Sequence, residues 1–399
     1  MGNVPKLRFI EFSGDWEKRR VDEVYSFKTT NSFSRDTLNY ESGEVFNIHY
    51  GDIHTKFLTS FSLEHEHVPY INSEVQLEKI KKDNYCQVGD LVIADASEDY
   101  ADIGKAIELI DLDGSDVLAG LHTILARPQR NTFALGFTGR LFQSWTVRKQ
   151  IMRLSQGAKV LGLSKGYLSE VLLDYPALPE QQKIAAFLTA VDTKIEQLNK
   201  KEQLLQQYKK GVMQKIFSQE IRFKADDGSE FPEWEEKLLG DISYITTGKS
   251  NREDSSTEGQ YTFFDRSEDI RTSDIYLYDA EALIIAGEGS DFPPKYFKGK
   301  FDLHQRTYAI MDFKGVFAKY LFYYIHFTRG HFVRYAVGST VKSLRLPIFK
   351  SMPIKIPSLA EQLKISVFLT ELDKQLDQTY TQLNLAKTFK KGLLQQMFV

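Results

Sequence analysis

The sequence has a single cysteine, Cys86, among 399 residues. A disulfide framework and a cysteine-rich zinc site each need several cysteines, so both are excluded. Apolar runs stay well short of the ~18 residues that suggest a membrane span. The polar start of the chain also lacks the apolar core of a signal peptide. These absences predict a soluble, cytoplasmic protein that has no membrane partner.

Basic charge is scarce for a protein that would bind nucleic acid, because 51 Lys and Arg are outweighed by 54 Asp and Glu. Such a protein must gather its basic residues on one face. The chain is longer than the ~250–300 residues at which single cores stop growing, so we expect two or three domains. A hydrophobic content of 42% places these domains among ordinary globular proteins.

What the sequence does contain is an internal repeat. Residues 180–217 align with residues 361–398 without a gap, at a constant offset of 181 (361 − 180). The matched positions include Glu180/Glu361, Gln181/Gln362, Lys183/Lys364, Ile184/Ile365, Phe187/Phe368, Leu188/Leu369, Thr189/Thr370 and Asp192/Asp373. Further upstream the similarity is confined to short anchors such as Trp16/Trp234. Repeated frames around diverged interiors suggest a fixed scaffold that carries two different binding surfaces.

Each repeated segment has the spacing of a long helix with one narrow apolar seam, because apolar residues recur at steps of three, four and seven. The seam positions are Ile184, Leu188, Val191, Ile195, Leu198 and Leu205 in the first copy, and Ile365, Leu369, Leu372, Leu376, Leu383 and Leu393 in the second. We expect residues 179–218 and 358–399 to form two helices that pair antiparallel and bury their seams against each other. The alternative is that each helix packs against its own lobe.

The diverged segments, residues 1–178 and 219–357, mix strand and helix patterns. β-Branched and aromatic runs predict strands at 44–50, 91–94, 283–286 and 307–311, and apolar periodicity predicts helices at 137–155 and 317–336. The expected fold is therefore α+β: two pseudo-repeated mixed α/β domains separated by a pair of long antiparallel coiled-coil helices.

No catalytic motif in the sequence is complete. The segment Thr247-Gly248-Lys249-Ser250 contains the last residues of a phosphate-binding loop, but Ser243 stands where that loop needs glycine. The first lobe has a cluster of four histidines, His49, His54, His65 and His67. In a strand, His65 and His67 would lie on one face, an arrangement compatible with metal binding. A solvated polar turn is the better interpretation, because the second lobe has no counterpart. We therefore assign no catalytic residue and no metal ligand.

Basic residues recur at matched places in the two lobes, together with Thr, Ser and Asn. Such groups neutralise phosphates and donate hydrogen bonds to base edges. For any single residue a solvated surface role is the better interpretation, and recurrence at matched positions in both copies brings the two interpretations level. The candidate DNA-binding residues are Lys28, Arg35, Lys159 and Lys165 in the first lobe, and Lys249, Arg252, Arg266, Arg306, Lys342 and Arg345 in the second.

The repeated frame resembles the conserved region of Type I restriction–modification specificity subunits. The similarity lies in Pro176-Ala-Leu-Pro-Glu180-Gln181 through Asp192, and again in Pro357-Ser-Leu-Ala-Glu361-Gln362 through Asp373. The opening Pro5-Lys-Leu-Arg-Phe9 with Trp16, and its echo Phe231-Pro-Glu-Trp234, are similar to the starts of the family's recognition domains. The resemblance covers nearly the whole chain.

The resemblance implies two target recognition domains, each reading one half of an asymmetric, split site on double-stranded DNA. It also implies that the two helices set the gap between the halves. Two methyltransferase subunits, which use S-adenosylmethionine to methylate adenine, and ATP- and Mg²⁺-dependent restriction subunits would be the partners. This chain would bind none of these cofactors and would have no catalysis of its own. The alternative is a non-enzymatic two-lobed coiled-coil adaptor that binds proteins rather than DNA.

Overall fold

The chain forms two compact units of mixed helix and strand, which confirms the expected fold class. The computed structural model describes residues 4–267 and 269–399, so the first three residues of the predicted first domain lie outside it. Unit 1 comprises the described residues up to Asn199 together with Gln382–Val399, and unit 2 comprises those of Lys200–Thr381. Within these residues, no helix combines the length and apolar character needed to cross a membrane.

Unit 1 contains the first lobe. Its strands are β1 (Glu17–Arg20), β2 (Tyr25–Lys28), β3 (Leu38–Asn39), β4 (Val45–Ile48), β5 (Ser60–Ser62), β6 (Tyr70–Ile71), β7 (Leu91–Ala94), β8 (Ala96–Ser97), β9 (Ala106–Asp111), β10 (Asp116–Ala119), β11 (Thr123–Pro128), β12 (Leu161–Gly162) and β13 (Leu172–Tyr175). Its helices are α1 (Val21–Val24), α2 (Tyr50–Thr55), α3 (Thr138–Gln143), α4 (Trp145–Leu154), α5 (Lys165–Ser169) and the first half of α6 (Leu178–Phe217). The main sheet has the order β2-β11-β7-β9-β5, and a second sheet has the order β10-β4-β6-β3.

Unit 2 contains the second lobe. Its strands are β14 (Glu235–Leu238), β15 (Tyr244–Thr247), β16 (Tyr261–Phe264), β17 (Arg271–Ser273), β18 (Tyr278–Ala286), β19 (Glu288–Gly289), β20 (Lys295–Leu303), β21 (Thr307–Met311), β22 (Lys342–Ser343) and β23 (Pro353–Ile356). Its helices are α7 (Leu239–Ile242), α8 (Ala318–Thr328), α9 (Gly330–Tyr335), α10 (Leu346–Lys350) and the first part of α11 (Leu359–Gln396). The main sheet has the order β15-β21-β18-β20-β16-β17.

The main sheets of the two lobes correspond over five strands, β2-β11-β7-β9-β5 and β15-β21-β18-β20-β16, although the β10-β4-β6-β3 sheet of unit 1 has no counterpart in the sheets that the described residues of unit 2 form. In unit 1, Thr123 of β11 lies opposite Ala94 of β7. In unit 2, Thr307 of β21 lies opposite Ala286 of β18. The short outer ladders correspond as well, since β1 pairs with β13 as β14 pairs with β23, and β12 with β8 as β22 with β19. The duplication therefore extends through the lobes, where the sequence similarity is weak.

Both long helices contribute to both units. In unit 1, Lys390 Nζ of α11 lies 2.6 Å from Asp192 of α6. In unit 2, Lys209 of α6 forms an ion pair with Asp373 of α11. Adding 181 to 192 and 209 gives 373 and 390, so the same ion pair is made twice. Since early residues of one helix meet late residues of the other, the paired segments run antiparallel within each unit.

The twelve predicted seam residues are all buried or half-buried. Ile184 and Leu188 belong to the core of the first lobe, in one cluster with Leu393. Ile365 and Leu369 belong to the corresponding core of the second lobe. The seam therefore packs against the lobe as well as against the other helix, which combines the two arrangements considered from the sequence.

A glutamine at the start of α6 holds the first lobe to the helix. The buried side chain of Gln181 accepts a hydrogen bond from the amide of Ala134 at 2.8 Å. Its Nε2 donates to the carbonyl oxygens of Thr132 at 3.2 Å and Pro176 at 2.8 Å. One side chain thus joins the loop before α3, the segment that follows β13, and the helix itself.

The second lobe repeats this arrangement through Gln362 at the start of α11. Its Oε1 accepts from the amide of Phe317 at 2.8 Å, and its Nε2 donates to the carbonyl oxygens of Gly315 at 3.2 Å and Pro357 at 2.8 Å. Both amide hydrogens and the amide oxygen are used. A buried amide with every polar atom satisfied is stabilising, whereas its loss leaves several buried groups unpaired.

The glutamate before each glutamine anchors the chain segment that enters the lobe. Arg8 donates to both carboxylate oxygens of Glu180, at 2.8 and 2.7 Å. Arg222 donates to both carboxylate oxygens of Glu361, at 3.2 and 2.9 Å, and Trp234 Nε1 adds a third bond at 3.1 Å. Such two-pronged Arg–carboxylate pairs are directional as well as strong. The repeated Glu-Gln dipeptide therefore connects the entering segment, the lobe and the long helix in each unit. We call the contacts of its glutamine the glutamine joint.

We predict that Gln362→Leu lowers the free energy of unfolding by about 2–4 kcal/mol, because it keeps the volume but leaves the Phe317 amide and two carbonyl groups without their partner. Urea denaturation followed by circular dichroism measures the loss. The control is Gln378→Leu, which replaces an exposed glutamine of the same helix and is expected to change stability by less than about 0.5 kcal/mol. Equal effects of the two substitutions would contradict the role assigned to Gln362.

Candidate nucleic-acid interface

Both units build the same backbone junction between the two central strands of their main sheets. In unit 1 the amide of Asp95, which follows β7, donates to the carbonyl of His122, which precedes β11, at 3.0 Å. In unit 2 the amide of Gly287, which follows β18, donates to the carbonyl of Arg306, which precedes β21, at 2.8 Å. The backbone is the same in the two lobes and the side chains are different. We call this place the junction.

A glycine-dependent loop reaches the junction in each lobe. Leu163 at the end of this loop donates its amide to the carbonyl of Asp95 at 2.8 Å, and Leu344 makes the equivalent bond in unit 2. The loops begin with Gly157 at φ +132° and Gly338 at φ +118°. A Cβ atom at either position would overlap a carbonyl oxygen of the same loop. Glycine is therefore required at both positions.

Three of the predicted basic residues of the second lobe gather at the junction of unit 2. Arg306 Nη1 lies 2.6 Å from one carboxylate oxygen of Glu288, and Arg266 Nη1 lies 3.2 Å from the other. Arg252 Nε lies 3.8 Å from Asp265, the residue before Arg266. All three arginine side chains are more than half exposed. The cluster therefore presents a positively charged surface to solvent.

The other three predicted residues of this lobe lie on segments that meet at the same place. Lys342 is in β22, where it pairs with Gly289 of β19, and its Nζ donates to the Val333 carbonyl at 3.0 Å. Arg345 is exposed and directly follows the junction loop. Lys249 is exposed and directly follows Gly248, where a Cβ atom would overlap the carbonyl of Leu303. The glycine of the Thr-Gly-Lys-Ser segment is thus explained by close backbone packing.

The acid and the histidine beside these arginines have shifted pKa values. Burial raises the pKa of Asp265, but hydrogen bonds from Ser267 and the positive charge of Arg252 outweigh it and leave the pKa below its usual range. Burial lowers the pKa of His304, and the charges of Arg306 and Arg266 lower it further. A neutral His304 is consistent with its contact, because its Nδ1 accepts the amide of Arg306 at 3.0 Å.

The predicted residues of the first lobe do not form a comparable cluster. Lys28 donates to the Asp83 carboxylate at 2.7 Å, and its side chain is mostly covered. Lys165 is exposed, and its Nζ lies 3.3 Å from the Lys28 carbonyl. Lys159 is exposed on the glycine-dependent loop. Only part of the positive charge predicted for this lobe is therefore free of an acidic partner.

Arg35 is part of a polar cluster around the buried carboxylate of Asp52. It lies 2.8 Å from the carboxylate of Asp52, which is fully buried and also contacts Lys56 at 3.0 Å. His49 lies beside them and accepts the amide of Gly51 through Nδ1 at 3.2 Å, at the start of α2. Burial, reinforced by the charge of Arg35, lowers the pKa of His49 to about 4. The imidazole is therefore neutral at neutral pH.

The four clustered histidines have separate environments. His54 Nε2 lies 2.9 Å from the carbonyl of Ala96, whereas His65 and His67 are exposed. Within residues 4–267 and 269–399, no group of three or more His, Cys, Asp or Glu side chains is arranged to hold a metal ion.

Two residues of the junction, His122 and Glu288, were not among the residues predicted from the sequence. His122, whose Nδ1 lies 3.2 Å from Asp95, occupies the position of Arg306, and Glu288 holds two of the arginines. The one signal in the sequence is the matched threonine that follows His122 and Arg306, at the start of β11 and β21.

We predict that His49→Asn makes the stability of the protein less sensitive to acid. The folded state favours neutral His49, so its contribution is complete above the ordinary pKa of 6.5 and is lost as the pH falls towards about 4. Asparagine keeps an acceptor for the Gly51 amide and does not titrate. Free energies of unfolding measured between pH 7 and pH 4 should fall more steeply for the wild-type chain. Exposed His65→Asn is the control, and parallel curves for all three chains would contradict the prediction.

The family model for the Type I restriction modification DNA specificity domain matches residues 13–207 and again residues 232–387. The chain belongs to this family. The two matches coincide with the two lobes and with parts of the long helix that follows each. The resemblance inferred from the repeated Glu-Gln frame is therefore confirmed, and the specificity domain is present twice.

Two relatives named as specificity subunits are similar in sequence to this chain. The EcoDI specificity subunit of Escherichia coli is 28% identical over 166 residues, a match that spans 41% of this chain and 37% of the relative. The putative MjaX specificity subunit of Methanocaldococcus jannaschii is 24% identical over 409 residues of alignment, 94% of this chain and 91% of the relative.

The fold is that of a solved Type I restriction–modification S subunit from M. genitalium, with a TM-score of 0.65 at 15% identity over 99% of both chains. A second similar structure, described in a study of complex assembly and conformational transition of the Type I system, has a TM-score of 0.56 at 16% identity. It covers 96% of this chain and 97% of that one. At these identities the likeness concerns the fold alone.

Proposed function

We propose that this chain is the DNA-specificity subunit of a Type I restriction–modification enzyme and reads a bipartite, asymmetric DNA site, one half with each lobe. The observation that carries the proposal is the doubled specificity domain, in which one backbone frame presents two different sets of side chains. A protein that reads two unlike half-sites needs a common scaffold and unlike surfaces. The long helices, which contribute to both units, would set the gap between the half-sites.

The charge of the second lobe supports DNA as the ligand. The junction of unit 2 gathers Arg252, Arg266 and Arg306 on an exposed surface, although the whole chain has a net charge of −3. Local concentration of positive charge is what binding to phosphates and base edges requires. The adaptor alternative requires no such concentration, and we therefore favour DNA over a protein ligand.

Two equivalent docking sites for methyltransferase subunits are supported by an exposed apolar pair that occurs in both units. Leu204 and Tyr208 of α6 belong to unit 2 and are 51% and 54% exposed. Adding 181 gives Leu385 and Phe389 of α11, which belong to unit 1 and are 65% and 55% exposed. Apolar side chains left in solvent at repeated positions are typical of interaction sites. Two copies of one partner would match two copies of one surface.

In this function the chain itself would carry out no chemistry. S-adenosylmethionine would be bound by the methyltransferase subunits, and ATP and Mg²⁺ by the restriction subunits. This chain would bring those subunits to the site at which adenine is methylated or from which cleavage is started.

We predict that Lys249→Ala and Arg252→Ala weaken binding of a duplex containing the site by the complex assembled with methyltransferase subunits. Each loss of a phosphate contact should make the slope of log affinity against log salt shallower by about 0.9. Fluorescence anisotropy at several salt concentrations measures both quantities. Exposed Lys237→Ala on β14 is the control. Unchanged affinity and slope for both variants would remove these residues from the DNA surface.

We also predict that the repeated apolar pair determines how many methyltransferase subunits bind. Leu204→Glu or Leu385→Glu alone should leave one subunit bound, and the double variant should bind none, because a buried charge opposes docking. Native mass spectrometry of the co-expressed subunits gives the stoichiometry. Val88→Glu, at an exposed position of the first lobe without a repeated counterpart, is the control. Two bound subunits in every variant would exclude this pair as the docking site.

A further inference from the structure

The junction of unit 2 contains two arginines that share one carboxylate. Arg306 Nη1 and Arg266 Nη1 contact different oxygens of Glu288, at 2.6 and 3.2 Å. The side chain of Glu288 is 16% exposed, whereas those of Arg306 and Arg266 are 62% and 58% exposed. Glu288 itself belongs to the β19–β22 ladder, where it pairs with Ser343. A carboxylate anchored on the backbone therefore holds two guanidinium groups at the surface.

The backbone beneath Arg306 is also held at both sides. Its amide donates to His304 Nδ1 at 3.0 Å, and its carbonyl accepts the amide of Gly287 at 2.8 Å. Because the backbone and one end of the guanidinium are already fixed, little conformational freedom remains to be lost when a ligand binds. Preorganised arginines favour a ligand with a defined geometry over a diffuse negative charge.

The N–H donors of Arg266 and Arg306 that Glu288 does not engage match the edge of one base. A guanidinium has five N–H donors in a planar fork, and in the described part of the chain Glu288 is the acceptor that Arg266 and Arg306 contact through one nitrogen each. The rest of each fork can donate two parallel bonds. Guanine presents two acceptors, O6 and N7, in the major groove, whereas adenine presents a donor beside its acceptor. A phosphate fits less well, because the negative charge of Glu288 lies between the two guanidinium groups.

The residue at the position of Arg306 differs between the two lobes, whereas the backbone hydrogen bond there is the same. The amide–carbonyl bond at the junction is 3.0 Å in unit 1 and 2.8 Å in unit 2, yet His122 stands where unit 2 has Arg306. Phosphates are common to every half-site, so residues that contact them have no reason to differ between the lobes. Residues that read different bases must differ.

From these observations we infer that Arg306 and Arg266, positioned by Glu288, read guanine in the half-site bound by the second lobe. The inference rests on the proposed DNA-binding function and adds to it the base and the residues that recognise it. Glu288 acts through the arginines and is a positioning residue.

The test selects binding sites from a randomised duplex library with the complex of this chain and its methyltransferase subunits. We expect Arg306→Ala or Arg266→Ala to remove the preference for guanine at one position of one half-site and to leave the other half-site unchanged. Affinity for the wild-type site should fall roughly five- to 150-fold, the range for loss of one two-pronged base contact. Arg306→Lys, which loses the planar fork but keeps donors for O6 and N7, should weaken the preference less than Arg306→Ala does. Exposed Arg334→Ala on α9 of the same lobe is the control.

The Glu288→Gln variant distinguishes a positioning role of Glu288 from a purely structural one. It should reduce the preference for guanine over adenine at that same position, with the melting temperature and the salt slope unchanged. A change in melting temperature with no change in base preference would overturn the positioning role.

Two outcomes overturn guanine reading while leaving DNA recognition intact. One is uniform weakening across all sequences with a shallower salt slope in Arg266→Ala and Arg306→Ala, which identifies phosphate contacts. The other is an unchanged selected site in these variants. If the wild-type complex selects no sequence at all, the proposed function itself fails.

Discussion

The architecture depends on satisfying one buried amide in each unit. Gln181 and Gln362 are buried where the long helices start, and a buried amide is tolerated only when its donors and acceptor find partners. Those partners belong to the loop before the lobe helix and to the segment leaving the last strand. The neighbouring carboxylates, Glu180 and Glu361, fix the incoming chain through Arg8 and Arg222. The lobe, the long helix and the entering segment are thus joined at one point in each unit.

The residues that recur between the two units include those that assemble them. The repeated pairs Glu180/Glu361, Gln181/Gln362 and Asp192/Asp373 are all engaged in contacts that assemble the units. The frame is repeated and the side chains of the junction vary, so the part of each unit that assembles it is separate from the part that differs between the lobes.

Much of the fold follows from the sequence because the duplication is local and gap-free. The predicted helix starts at 179 and 358 lie within one residue of the observed starts at Leu178 and Leu359. The strands predicted at 91–94 and 307–311 have those same bounds in the structure. The helix predicted at 137–155 is instead two helices, because Ser144 is extended and its hydroxyl accepts the Val147 amide, which starts a new helix.

The candidate site was less predictable, because its contacts join distant parts of the chain. Charge alone selected Arg35 and Lys28, but Asp52 and Asp83, which neutralise them, are brought close by folding and cannot be found from spacing. Glu288 belongs to a two-residue strand, too short for any periodic pattern. The convergence of Arg252, Arg266 and Arg306 likewise depends on how the segments after β15 and β16 and before β21 are brought together. Residue type predicted the candidates, and only tertiary structure decided which of them lie together on an exposed surface.

The glutamine joint has a consequence for how such a chain can evolve. On the lobe side, Gln181 and Gln362 bind main-chain atoms: an amide and two carbonyl groups in each unit. Main-chain atoms are the same whatever the residue, so substitutions elsewhere in a lobe do not weaken the joint as long as the local backbone path is kept. Mutation and recombination can therefore exchange the side chains at the junction without compensating changes in these glutamine contacts.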